Sequence, residues 1–245
     1  YAKFLTEGEN NAIIEKMALE DGDLILVVAD KNKVVFDTLG ALRCECAKKL
    51  GLLDPMDFKF LCVTEFPLFE YSEEDGRYYN RFCFVRPNAE CTFYDKHHLF
   101  TYGGEHHRYT AGQERVVAEF RGVRFLLQIC YDLRFPVFAR NKADEPYDAI
   151  IYVASWPTPR VEAWLALQKA RAIENQCYVC AVNRVGTDPS CQYSGGTLMT
   201  DPYGKVVAQC PMDEESAVSV EMDMDSLAAF REKFPVLKDG DVCER

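Results

Sequence analysis

The sequence predicts an α/β fold built on a buried sheet and preceded by a small α+β segment. Three observations carry that expectation. Residues 148–182 read strand, helix, strand: apolar runs at 148–154 and 177–182 flank a helical pattern over 161–175. That is the layout of a crossover unit whose strands are covered on both faces. A second apolar run, Phe125-Leu126-Leu127-Gln128-Ile129, stops at Cys130 and turns at once into Tyr131-Asp132-Leu133-Arg134-Phe135-Pro136. The opening third alternates helix and strand and is set apart by the acidic turn Glu73-Glu74-Asp75-Gly76. With 245 residues, 48% of them hydrophobic, the chain can fill one large core or two modest ones. The expected division is 1–74 and 75–245.

Each element has a local reason. Residues 10–20 place Ala12, Ile13, Ile14 and Met17 on one helical side, and Asp21-Gly22-Asp23 ends the pattern. Residues 24–29, rich in Leu, Ile and Val, read as a strand. Residues 33–50 read as a helix closed by Gly51, which can take a left-handed cap. Residues 58–64 read as a strand. Residues 78–85 and 91–94 read as a hairpin through Pro87-Asn88-Ala89-Glu90, and 116–120 and 123–129 as a second through Arg121-Gly122. After Cys130 a short helix is expected to about residue 141. The helix at 161–175 turns Trp164, Leu165 and Leu167 inward. Later strands are expected at 196–199, 206–209 and 217–222, and a closing helix at 226–233. Asp201-Pro202-Tyr203-Gly204 has Pro and Gly where a type I turn wants them. There are no repeats and no low-complexity tracts.

Composition excludes several functions. A net charge of −11 disfavours nucleic-acid phosphate and anionic membranes as partners. No run of about 18 apolar residues suggests a transmembrane span. No basic-then-apolar leader opens the sequence, so the cytoplasm is the expected compartment. The eleven cysteines are odd in number and sit mostly inside apolar elements, as at Cys62, Cys83, Cys177 and Cys180. That suits reduced thiols better than a disulfide framework. Cys44 and Cys46, two apart on a helix, do not share a face. Cys177 and Cys180, three apart on a strand, point to opposite faces. His97-His98 and His106-His107 lack a carboxylate or thiol repeating at ligand spacing. No metal and no cofactor is expected.

Cys130 is the residue with chemistry. A strand that stops at a thiol and turns into a helix presents that thiol at the carboxyl edge of a sheet, where backbone N–H groups can lower its pKa and gather developing negative charge. The competing reading is a buried structural cysteine, a common fate of free thiols. A nucleophile also needs a base and donors for the anion formed during attack. Lys96, at the end of a hairpin strand, can supply a cation, and Glu105 can hold that lysine charged and oriented.

These residues resemble a known family. Tyr94-Asp95-Lys96-His97-His98-Leu99-Phe100 resembles the lysine motif of the nitrilase superfamily of carbon–nitrogen hydrolases, and Cys130-Tyr131-Asp132-Leu133-Arg134-Phe135-Pro136 resembles its nucleophile motif. Ala154-Ser155-Trp156-Pro157, Ala170-Arg171-Ala172-Ile173-Glu174-Asn175 and Tyr193-Ser194-Gly195-Gly196 follow in the family's order. The wording is most similar to the omega-amidase branch, which cleaves the terminal amide of short dicarboxylic monoamides. The resemblance implies an αββα sandwich of two sheets, here incomplete, and a small-molecule amide and water as partners. It implies that Cys130 forms a thioester and releases ammonia, that Lys96 stabilises the oxyanion and that Glu105 positions lysine and substrate. Tyr131, Ser155 and Trp156 would line the pocket. Homo-oligomers built through sheet-flanking helices are usual in the family.

The opening third resembles something else. Asp21-Gly22-Asp23-Leu24-Ile25-Leu26-Val27-Val28-Ala29-Asp30, Leu39-Gly40-Ala41-Leu42-Arg43 and Val63-Thr64-Glu65-Phe66-Pro67-Leu68-Phe69-Glu70 are similar to bacterial aspartyl-tRNA synthetase, from the end of its inserted domain into its catalytic core. The family's catalytic base, a glutamate at the end of its second strand, belongs to a stretch whose place is taken by this segment. Glu65 ends an expected strand before an aromatic, as that glutamate does, but it lies only 31 residues before Lys96, too few for the family's intervening strand and helix. The chain therefore reads as a chimera with a seam near residues 73–79, and the loss of the opening strands and helix is expected to weaken stability. Three functions compete: an amidase, intact or impaired; a synthetase fragment; and a non-catalytic binding protein with a retained thiol pocket. The second lacks the synthetase's glycine-rich, arginine-ending closing motif. Residues 1–80 also carry 16 acids against 9 Lys or Arg, which disfavours tRNA phosphate.

Overall fold

The computed structural model describes residues 5–52, 70–72 and 76–240. The chain divides into two compact units, Tyr1–Thr64 and Glu65–Arg245.

The first unit contains helices α1 (Glu7–Met17) and α2 (Asn32–Lys49). Thr6 caps α1 reciprocally with Glu9: the Glu9 amide donates to Thr6 Oγ1 and the Thr6 amide to Glu9 Oε2, which satisfies two amides otherwise orphaned at the helix start. This cap starts α1 three residues before the apolar pattern does. Gly51 at φ +66° ends α2 as expected. The strand expected at 24–29 is not formed. Among the described residues no strand offers this segment a ladder, and Leu24 stays 81% exposed. Apolar content makes a strand only where a neighbour supplies hydrogen bonds and burial. The strand expected at 58–64 lies outside the described residues.

The second unit holds the sheets. β1 (Glu70–Ser72) pairs antiparallel with β2 (Arg77–Tyr79). The expected strand at 78–85 is interrupted at Asn80, whose carbonyl accepts from the Lys96 amide. Its second half, β3 (Arg81–Val85), pairs with β4 (Cys91–Asp95) as a separate hairpin. The main sheet contains β5 (Val117–Phe120), β6 (Val123–Ile129), β7 (Ala149–Ala154) and β8 (Tyr178–Asn183). Hairpin strands β9 (Val185–Thr187) and β10 (Gln192–Ser194) lie outside it, and β11 (Leu198–Thr200) and β12 (Val206–Gln209) complete it. The sheet order is β12-β11-β8-β7-β6-β5, with β6, β7 and β8 mutually parallel. Short α3 (Pro136–Ala139) lies between β6 and β7, α4 (Val161–Asn175) between β7 and β8, and α5 (Met224–Lys233) follows β12.

Alternation along the strands sorts two cores. Leu126, Ile150, Tyr152, Val179 and Ala181 share a cluster with Trp164 and Ala172 of α4. On the opposite face, Leu127 and Ile129 meet Phe82 and Phe84 of the β3–β4 hairpin and Phe138 of α3. Leu227 of α5 covers Ala149, Tyr178 and Met199. Between hairpin and α5 the cover thins: Ile151 and Val153 are partly buried and Val182 is 45% exposed. Among the described residues the second layer is thus a reduced one.

Two further expectations fail. The segment 217–222 joins no ladder; Val218 and Val220 stay exposed, and Met222 alone packs, against the α5 cluster. The helix expected after Cys130 is a five-residue 3₁₀ turn, Cys130–Arg134, broken from α3 at Phe135. The residue before a proline is pushed out of the helical region, and Pro136 follows Phe135. The β9–β10 hairpin escaped the pattern because its strands are only three residues long. Its signal was Asp188, whose carboxylate accepts from the Ser190 and Cys191 amides to close the turn.

Candidate active site

Three parallel strands end at one edge. The register pairs Ile129 with Val153, Val153 with Val182 and Ala154 with Asn183. The residues just past these ends, Cys130, Ser155, Trp156 and Arg184, are therefore neighbours, at the edge where open α/β sheets place ligands. They border a cavity of about 610 Å³, a volume suited to a small molecule.

Cys130 sits at φ +46°. A left-handed backbone costs a residue with a β-carbon roughly 1–3 kcal/mol and turns its side chain away from the strand's alternation. The thiol packs against both core clusters and reaches 3.9 Å from the Ser155 carbonyl. Burial pushes the Cys130 thiol above its ordinary range, while the Lys96 ammonium and the Ser155 carbonyl contact pull it back in part. This corrects the expectation of a lowered thiol pKa: the 3₁₀ turn is too short to act as a helix end, and desolvation of the thiolate dominates.

Lys96 directly follows β4 and is 1% exposed. Its amide donates to the Asn80 carbonyl at 2.8 Å, and its own carbonyl accepts from the Gly112 amide at 3.0 Å. Only glycine permits that second contact, since a β-carbon at Gly112 would lie 2.1 Å from the Asp95 carbonyl oxygen. The ammonium donates to both Glu105 oxygens, at 2.9 and 2.8 Å. Glu105 in turn accepts from the Phe100 amide at 2.7 Å, which ties the loop 100–105 to the lysine. A buried ammonium is tolerable only with such a partner.

Tyr131 lines the cavity and meets Phe100 and Phe135 edge-on. Trp156 is buried; its amide donates to Asn183 Oδ1 and its indole to the Arg160 carbonyl. The structure thus brings Cys130, Lys96, Glu105, Tyr131, Ser155 and Trp156 to one cavity. Glu65 lies outside the described residues.

Sequence reasoning missed the arginines. Arg81 and Arg184 are paired, with Asp95 and Asp188. Arg134 and Arg160 stand over the rings of Trp156 and Phe100, and among the described residues neither has a carboxylate partner. Arg134 lay in plain view four residues after Cys130; Arg160 carried no signal of its own. His97 and His98 are held within the fold, whereas His106 and His107 are exposed. His97 Nδ1 donates to the Gly112 carbonyl and its ring stacks on Phe138, while His98 bonds to Asp132. Among the described residues no three His, Cys, Asp or Glu side chains group where a metal could bind, no helix is long and apolar enough to cross a membrane, and nine cysteines are free thiols.

Comparison with known proteins identifies the family. The carbon–nitrogen hydrolase family matches residues 54–232, and the GAD domain family matches residues 1–39. The omega-amidase YafV of Escherichia coli is 47% identical over 163 residues, 66% of this chain and 63% of that protein. The chain thus spans a little under two thirds of that relative's length. The aspartate–tRNA ligase of Ruminiclostridium cellulolyticum is 62% identical over 78 residues, 32% of this chain and 13% of the ligase. The crystal structure of a carbon–nitrogen hydrolase superfamily protein from Xanthomonas campestris, with an arsenic adduct in its active site, superposes with a TM-score of 0.67. It is 40% identical and covers 70% of this chain and 67% of its own. Behind an N-terminal segment similar to aspartate–tRNA ligase, the chain belongs to the carbon–nitrogen hydrolase family.

Proposed function

We propose that residues 75–245 form an amidase domain acting on the terminal amide of short dicarboxylic monoamides, and that residues 1–74 are a synthetase-derived segment. One observation carries the reading: a thiol and a carboxylate-held ammonium face one small cavity. Cys130 Sγ adds to the amide carbon and the carbonyl electron pair moves to oxygen, where Lys96 Nζ stabilises it, with the Tyr131 amide as second donor. The thiol proton passes to the amide nitrogen, the C–N bond breaks, and ammonia leaves a thioester on Cys130. Water adds to the thioester carbon, the C–S bond breaks, and the acid and free thiol are regenerated. Glu105 keeps Lys96 in place throughout. Arg134 and Arg160, free of carboxylate partners among the described residues, suit the substrate's free carboxylate. Tyr131, Ser155 and Trp156 shape the walls.

Turnover of amides is slow in this reading. The base expected from the family resemblance comes from a stretch whose place is taken by the synthetase-like segment, and the thiol is pushed up by burial. An activated ester needs no proton delivered to its leaving group. The test is therefore the mono-4-nitrophenyl ester of succinate, with the label located by peptide mass spectrometry. A succinyl group on Cys130, absent from Cys130→Ala, supports the reading; a label elsewhere or none overturns it. Ammonia release from succinamate and glutaramate in the same samples measures how far turnover is impaired. The seam is tested separately: a source gene that reads without interruption through codons 65–90 and is expressed excludes an assembly error.

A further inference from the structure

Asp132 is fully buried, yet it does not border the cavity. Its carboxylate accepts four hydrogen bonds. Oδ2 accepts from the Ile129 amide at 3.0 Å and from Tyr94 Oη at 2.7 Å. Oδ1 accepts from the His98 amide at 3.0 Å and lies 2.8 Å from His98 Nδ1. Ile129 directly precedes Cys130 and its left-handed backbone. Tyr94 and His98 lie two residues before and two after Lys96. One carboxylate therefore ties together the two segments that carry the thiol and the ammonium. The donors are themselves fixed: the His98 ring stacks on Phe135 at 3.8 Å, and Tyr94 packs against Phe138 and accepts from the His97 amide. Burial and the Asp132 carboxylate keep the Tyr94 phenol protonated, and so a donor.

We propose that Asp132 is a positioning residue: by binding the Ile129 amide, Tyr94 and His98 together it sets Cys130 against Lys96 and holds the left-handed turn at the thiol. The inference rests on the reading of Cys130 as nucleophile, but its consequence is a property of the thiol itself. Asparagine at 132 offers one acceptor oxygen in place of two and a competing donor, so at least one tether is lost. The thiol then drifts from Lys96 and becomes less reactive. A purely electrostatic role predicts the opposite sign, because the Asp132 carboxylate disfavours the thiolate and its neutralisation alone speeds reaction. A purely structural role predicts lower stability with unchanged thiol reactivity in the folded protein.

The experiment alkylates the full chain, its Asp132→Asn variant and its Tyr94→Phe variant with limiting iodoacetamide at about pH 8. Peptide mass spectrometry compares Cys130 with the exposed Cys91, and circular dichroism establishes that each sample is folded. The Cys130-to-Cys91 ratio is expected to fall about tenfold in Asp132→Asn and about threefold in Tyr94→Phe, which keeps the carboxylate. An unchanged or raised ratio overturns the proposal. If Asp132→Asn does not fold, Tyr94→Phe decides on the same terms. Ester labelling of the unmutated chain separates the two readings. Lowered ratios without any label on Cys130 sink the amidase reading alone; label with unchanged ratios sinks the positioning role alone.

Discussion

Lys96 Nζ lies 2.8 Å from one Glu105 oxygen and 2.9 Å from the other, with the lysine 1% exposed and the glutamate 21% exposed. The pair is asymmetric in consequence. Removing the glutamate strands a buried ammonium, whereas removing the lysine leaves a carboxylate that still reaches solvent and the Phe100 amide. Glu105→Gln is expected to cost about 3 kcal/mol, and Lys96→Met distinctly less. Urea unfolding of both single variants and the double variant measures the coupling; equal costs for the two singles would refute the asymmetry.

Alkaline pH should destabilise the fold. Burial raises the thiols of Cys130, Cys177 and Cys180 and the phenols of Tyr94, Tyr147 and Tyr152. In each case the folded chain holds the proton more tightly than the unfolded chain does. The associated stability is complete below the ordinary thiol and phenol ranges and is lost as pH rises through and beyond them. The melting temperature should stay level up to about pH 8 and decline above it. A melting temperature that rises between about pH 8.5 and 10 contradicts this assignment.

Gly112→Ala tests how Lys96 is placed. The added methyl meets backbone, the Asp95 carbonyl oxygen at 2.1 Å, so no side-chain rotation relieves it. A loss of about 1–3 kcal/mol is expected, together with slower ester labelling of Cys130. Labelling at the unmutated rate would show that the chain around Lys96 tolerates the displacement.

The two sides of the main sheet should respond differently. Leu126 is wholly buried beneath α4, and Leu126→Ala is expected to cost about 2–5 kcal/mol. Val182, 45% exposed on the thinly covered face, should tolerate Val182→Thr within about 0.5 kcal/mol. That variant should also aggregate less on heating, since an exposed apolar residue beside the partly buried Val153 favours self-association. Light scattering during the melt distinguishes the two variants.

Much of the fold was legible because its patterns are local. The helix at Val161–Asn175 matches its expected bounds, since an apolar stripe and a following strand define it. Strand β6 and the turn at Cys130 were legible from one apolar run and its abrupt end. The strands expected at 24–29 and 217–222 failed because strand formation depends on a neighbour, which composition does not reveal. The direction of the thiol pKa failed for a related reason: the turn chemistry was visible, but the desolvation that outweighs it comes from residues distant in sequence.

The sequence by itself determined that a thiol, a lysine and a glutamate sit on strand ends and turns, that the motifs follow the order of carbon–nitrogen hydrolases, and that a synthetase-like segment occupies the opening third. These are properties of short strings and their spacing. Only the tertiary structure decided that Lys96 and Glu105 share a bidentate contact, that Arg134 and Arg160 face the cavity without acidic partners among the described residues, and that Asp132 ties Tyr94, His98 and Ile129 to one buried carboxylate. Those relationships span up to 38 residues of chain, and they exist because strand register and hairpin packing bring the segments to one sheet edge, a distance that no local pattern encodes.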